Sequence, residues 1–276
     1  MKRSRAQGIG FAVLAVGLVT GTAGACTRKE EAPPAPPVSP SAPAAPAAAA
    51  APAAATVPAA AGAVSAIKGT VKLTGAPPEM GMLKREADPF CGRVPMKDEE
   101  VLVGAGGGLK NVLVRLIKGV TGSYPAPATQ AVVDQTQCMY RPRVQGIMAG
   151  QPLAIRNGDQ TLHNVHTYKG PSTIFNQAEI PGMAPIVRKF DGAGDIIKFK
   201  CDVHPWMTGY VAVSNHPFFA VTGDDGSFSI ASVPAGTYTL EAWHERYGAT
   251  ATEVVVSADK PATVDLALGG TMKAAR

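Results

Sequence analysis

The 276-residue sequence lacks almost every signature by which a catalytic chain can be recognised. It has no G-x-S-x-G, H-E-x-x-H or C-x-x-C-H element, which excludes a strained serine nucleophile, a helix-borne zinc hydrolase and covalently attached haem. The Gly-rich stretch 104–108 leads into a run of strand character, so the helix N-terminus that a phosphate cradle needs is missing. Asp224, Asp225 and Gly226 read as a hairpin turn and lack the spaced acidic ligands of a calcium loop. Charged residues make up 17% of the chain and aromatics 6%. No basic stripe with interleaved aromatics occurs, so no nucleic-acid partner is expected. Amphipathic helices of ordinary length are absent, and no apolar run approaches the roughly 20 residues of a membrane span.

What is present begins with an export layout. Residues 1–25 carry a basic head (Lys2, Arg3, Arg5), an apolar run over 9–19 and then small residues up to Cys26, the order of a signal peptide. The stretch Thr22-Ala23-Gly24-Ala25-Cys26 resembles a bacterial lipobox, although Ala23 stands where such motifs carry a larger apolar residue. Ala23-x-Ala25 also suits ordinary signal-peptidase cleavage. The resemblance implies a lipid on Cys26, attachment to a membrane through that N-terminal anchor, and localisation in the bacterial cell envelope. Removal of the three basic residues of the signal, with no acids, lowers the formal charge from +5 to +2. Residues 26–63 are mostly Ala and Pro and offer no periodic apolar face, so a disordered tether is expected there. In the polyproline form, at about 3.1 Å per residue, it would reach on the order of 100 Å.

Beyond residue 63 the texture changes to short alternating runs separated by Gly, Pro, Asn and Asp, the pattern of all-β sandwiches. Strands are expected over 67–73, 109–117, 151–156, 196–201, 209–213, 227–230, 237–243 and 252–256. The runs Lys68-Gly69-Thr70-Val71 and Asn111-Val112-Leu113-Val114, and more specifically VTGDDGSFSIASVPAGTYTL over 221–240, resemble a carboxypeptidase regulatory-like (prealbumin-like) domain. The two parts are too far apart for one uninterrupted module. Residues 64–122 and 216–270 are therefore expected to be its two halves, with a second domain, 128–215, inserted between them; two sandwiches in series is the alternative.

The chemistry lies in that middle stretch. Over 196–213 the sequence reads IIKFKCDVHPWMTGYVAV. A period of two places Ile197, Phe199 and Cys201 on one face, so Cys201 ends a strand pointing inward. His204 and Met207 follow in a tight loop before the return strand. Upstream, NGDQTLHNVHTY over 157–168 supplies a turn and two histidines. One thiolate, two imidazoles and a thioether form the donor set of a type 1 (blue) copper centre, trigonal His2Cys with a weak axial Met. A zinc site from Cys201, His204, His163 and His166 is the chemical rival, and it would leave Met207 without a role.

LHNVH followed by C-x-x-H-P-W-M-x-G-x-V-x-V resembles the cupredoxins, in particular amicyanin-like and plastocyanin-like members with short Cys-x-x-His loops. That resemblance implies a Greek-key β-sandwich, one type 1 copper, and His163, Cys201, His204 and Met207 as its ligands. Asn164 would hold the two ligand loops together. His166 is the rival to His163, and His163 is favoured because it directly precedes Asn164. If Cys26 carries lipid and Cys201 a metal, Cys91 and Cys138 remain; a disulfide between them suits an oxidising compartment, and two separately buried thiols are the alternative. The chain is thus expected to be no enzyme but a one-electron carrier serving a redox partner protein. A copper-delivery protein and an envelope interaction module with a secondary metal site are the competing expectations.

Overall fold

A computed structural model describes residues 64–270. The expected signal peptide, Cys26 and the tether over 26–63 lie outside the described residues. Seventeen strands follow one another among the described residues. They are β1 (Val64–Thr74), β2 (Leu113–Lys118), β3 (Ala131–Gln135), β4 (Tyr140–Arg141), β5 (Val144–Met148), β6 (Leu153–Asn157), β7 (His163–Lys169), β8 (Ser172–Glu179) and β9 (Ile186–Arg188). After them come β10 (Ile196–Lys200), β11 (Thr208–Ser214), β12 (Phe219–Val221), β13 (Ser227–Pro234), β14 (Gly236–His244), β15 (Gly248–Val256), β16 (Ala262–Thr263) and β17 (Leu266–Gly269). Helical structure among the described residues is limited to two 3-10 turns, Cys91–Arg93 and Ala105–Gly107. The protein is all-β.

The strands form four sheets. Two contain only strands from the two ends of the described chain: β13-β1-β16 with β17 beside β1, and β12-β2-β14-β15. They close on a core that includes Ile67, Val71, Val114, Leu116, Phe228, Ile230, Leu240 and Val254. The other two, β5-β11-β10-β7-β8 and β4-β3-β6-β9, contain only strands from the middle. Their core includes Val133, Ile147, Leu153, Ile155, Val165, Ile197, Phe199 and Val211, and it also takes in Cys201 and Met207. With each fully buried aliphatic side chain contributing about 1.5–3 kcal/mol, both cores are strong enough to fix what is mounted on their edges.

Strand alternation explains how the two sandwiches meet. In β2, Val114 and Leu116 enter the first core, while Leu113 faces the other way. In β11, Val211 and Val213 enter the second core and Ala212 points outward. Leu113, Val144 and Ala212 form a small buried cluster between the sandwiches, packed by Tyr210, Phe219 and Trp243. Gly146 lies at this junction because a Cβ there would stand 2.3 Å from the Phe219 ring. One ion pair crosses it, Arg143 to Glu245, with both side chains 5% exposed or less; Arg115, paired with Glu241 within the β2–β14 ladder, also reaches across to the Gly194 carbonyl.

Several expected boundaries move: β13 runs on to Pro234, and β15 begins at Gly248, ahead of the expected 252. The strand anticipated over 109–117 begins only at Leu113. Asn111 adopts φ 61°, a left-handed conformation that Asn tolerates better than most residues, and it turns the chain before the ladder starts.

Candidate metal centre

Cys201 follows β10 directly, and its inward direction is set by the strand, since Ile197 and Phe199 on the same face are buried beside it. The loop 202–207 is held shut by two backbone bonds: the Met207 amide donates to the His204 carbonyl at 2.9 Å, and the Cys201 amide to the Met207 carbonyl at 3.3 Å. Ladder pairing of β10 with β11 on one side and β7 on the other brings His163 against this loop. The Nδ1 atoms of His163 and His204 are 2.9 Å apart, and Cys201 Sγ is 3.6 Å from His204 Nδ1. Sγ and one nitrogen of each ring lie within 4.8 Å of one another. All three residues are 0–1% exposed, and Met207 is 0% exposed in the same core cluster.

His166, three residues along β7, stands on the opposite face, as strand parity requires. Its Nδ1 is 2.9 Å from an Asp202 carboxylate oxygen and its Nε2 3.0 Å from the Thr173 hydroxyl, and it is not brought to Cys201. Asn164 joins the two ligand segments from three sides. Its amide donates to Cys201 Sγ at 3.4 Å, its side-chain oxygen accepts from the Asp202 amide, and its Nδ2 donates to Asn176 and Asp202. The Tyr140 hydroxyl lies within hydrogen-bonding distance of both the Asn164 and Lys200 carbonyls, 2.9 and 3.0 Å.

Two carboxylates in this centre are not foreseen from the sequence. Asp159 Oδ2 accepts from His163 Nε2 at 2.9 Å, while its two oxygens also take the amides of Gln137 and Cys138 at 2.7 Å. Asp88 Oδ2 accepts from His204 Nε2 at 3.0 Å. Asp159 carries a local signal, four residues before His163 in an Asn-Gly-Asp turn. Asp88 carries none toward His204, because long-range folding alone makes the contact. Cys91 and Cys138 are joined in a disulfide, and Cys91 Sγ lies 3.6 Å from His204 Nε2. Cys201 is the one free cysteine among the described residues.

The electrostatics follow from this packing. Burial works to raise the Cys201 thiol, but hydrogen bonds from His163, His204 and the Asn164 amide outweigh it and bring its pKa from 9.0 down to about 6. Burial works to lower His163, but Asp159 and Cys201 outweigh it and raise its pKa to about 9. Asp88 is desolvated too, yet the Cys91 amide, Thr161, His204 and the Phe90 amide hold it well below the usual carboxylate range. The result is a thiolate and two imidazole rings buried together, with each outer ring nitrogen on a carboxylate and the two inner ones facing each other, where the raised His163 holds a proton. Loss of that proton would turn three donor atoms toward one point, a candidate site for a soft or borderline cation.

A model of the carboxypeptidase regulatory-like domain family matches residues 210–269, which span the end of β11 and β12–β17. No curated protein matches the chain. Among solved structures, the chain is similar to a purple cupredoxin from Nitrosopumilus maritimus, 25% identical over 30% of this chain and 99% of that one, with a TM-score of 0.27. It is also similar to an amicyanin from Paracoccus versutus, 28% identical over 32% of this chain and 84% of that one, with a TM-score of 0.28.

Proposed function

We propose that the protein is a type 1 copper carrier that exchanges single electrons with a partner protein in the bacterial cell envelope. The observation that carries this reading is the convergence of His163 Nδ1, His204 Nδ1 and Cys201 Sγ, with Met207 fully buried in the same cluster. The donor set fits copper: the thiolate favours the reduced ion, the imidazoles serve both oxidation states, and a thioether has no place in a zinc site. When bound, the metal supplies a centre that accepts and returns one electron.

The chain's own residues do the rest. Asp88 and Asp159 hold a ring proton on each outer nitrogen, so the inner nitrogens are the ones a metal would take, displacing the proton held between them. Asn164 and its neighbours hold the cysteine segment against β7. Four buried ligands leave no open position for a substrate, which supports a carrier over an enzyme. The same burial disfavours copper delivery, since a delivery site needs exposed, exchangeable ligands. The middle sheets form the metal-bearing domain, residues 128–215, inserted between the two halves of a prealbumin-like scaffold, 64–122 and 216–270. Sheet membership supports that division. Cys26 carries the lipid that anchors the protein to a membrane, with the Ala/Pro tether between anchor and scaffold.

Voltammetry of the copper-loaded protein tests the function. A fast, reversible one-electron couple is expected. Absence of a couple, combined with rapid loss of copper to a mild chelator, would instead point to delivery.

A further inference from the structure

The outer nitrogen of His204 is covered by a segment that belongs to neither ligand loop. Residues 85–94 lie between β1 and β2, and Asp88 precedes His204 by 116 positions. The segment is pinned to the metal-bearing sandwich at several points. Arg85, 3% exposed, donates to the Val94 and Gln137 carbonyls. Cys91 is bonded to Cys138, and the Thr161 hydroxyl, two residues before His163, donates to Asp88 Oδ2 at 2.7 Å. Trp206, from the ligand loop, donates its indole N–H to the Cys138 carbonyl at 3.0 Å. His204 is thereby closed on its outer side by Asp88 and the disulfide.

We propose that Asp88 is a positioning residue for metal binding: carried on this disulfide-pinned strap, it fixes the tautomer and orientation in which His204 presents Nδ1 to the metal. The inference rests on the copper reading above. Its physical basis is the division of labour between the two oxygens of Asp88. Oδ1 accepts the Phe90 and Cys91 amides and shapes the strap's own 3-10 turn. Oδ2 is left for His204 and Thr161. A proton on Nε2 leaves the Nδ1 lone pair directed inward. The ring has no comparable anchor on its outer side among the described residues, because its remaining neighbour there is the sulfur of Cys91 at 3.6 Å.

The two roles of Asp88 can be separated by Asp88→Asn. The amide oxygen still accepts the Phe90 and Cys91 amides, so the turn is retained. The amide nitrogen then faces His204 Nε2, donor against donor. In the metal-free protein, ¹⁵N ring shifts of His204 should report the Nε2–H tautomer in the wild type and its loss in Asp88→Asn. Loss of an outer partner of this kind costs about 10–100-fold in metal affinity, so copper affinity by chelator competition should fall by that factor. A count of one free thiol in the folded domain of both proteins would show that the strap is still latched.

An unchanged His204 tautomer together with copper affinity within twofold of the wild type would overturn the proposal. If Asp88→Asn failed to fold, the wild-type tautomer alone would decide, with a proton on Nδ1 refuting it. The copper reading fails separately: a wild type that binds no copper contradicts that reading, while the tautomer measurement still tests Asp88.

Discussion

Replacing Glu245 by Ala should destabilise the protein by about 3–5 kcal/mol, the cost of stranding one member of a buried ion pair. Glu245, in the turn between β14 and β15, receives two bonds from Arg143, which stands between β4 and β5: Nε to Oε1 at 2.5 Å and Nη2 to Oε2 at 3.0 Å. The side chains are 5% and 3% exposed, so water cannot take the place of the missing carboxylate. Burial opposes the charge on Arg143, and the Glu245 carboxylate more than offsets it. For a domain of this size each kcal/mol moves the melting temperature by about 2–4 °C, which makes the expected drop roughly 10 °C. The double variant Arg143→Met/Glu245→Leu should recover most of that loss. Nη1 of Arg143 is already unpartnered among the described residues, so the native pair is not fully satisfied, and apolar substitutes of similar volume give up little. Urea unfolding of the wild type, both singles and the double supplies the cycle. A Glu245→Ala penalty below about 1 kcal/mol, or a double variant weaker than either single, would refute the view that this pair locks the two sandwiches.

Two further outcomes follow from the same junction. His244 is buried beside Arg143 and Arg246, and burial first, then those two charges, lowers its pKa from 6.5 to about 4. The unfolded chain therefore binds a proton that the folded protein refuses. Stability should fall as pH drops from about 6.5 to about 4 and level off below, by about 3 kcal/mol at 1.36 kcal/mol per unit. His216, likewise lowered by burial, adds in the same direction; an NMR titration placing the folded-state pKa of His244 at 6.5 or above would refute this. Gly146→Ala should cost about 1–3 kcal/mol by overpacking, since the new methyl meets the Phe219 ring; thermal melts matching the wild type within 1 °C would show that the junction yields freely.

Legibility in the sequence tracks the range of the forces involved. The ligand strand could be read because Ile197, Phe199 and Cys201 alternate with Lys198 and Lys200, a local pattern with a buried face and a half-buried polar one. The all-β class could be read for the same reason. Short strands such as β4 and β16, at two residues each, leave no period to detect. Burial on both faces blurs the period of β11, where Ala212 and Val213 are both interior, yet its apolar run still marks it as the strand expected over 209–213. For the candidate site, strand parity on β7 accounts for His163 pointing inward and His166 outward. Asp88 and the closure of His204 depend on a contact across 116 residues that no local rule encodes. The His204 ring is 1% exposed because that distant strap covers it.

The most direct measurement is the visible absorption of the protein titrated with copper, alongside Cys201→Ser. One equivalent should give an intense thiolate-to-copper band in the wild type, saturating at one metal per chain, and none in the variant. A wild type that binds copper without the band, or a band that survives in Cys201→Ser, would contradict a type 1 copper centre built on His163, Cys201, His204 and Met207.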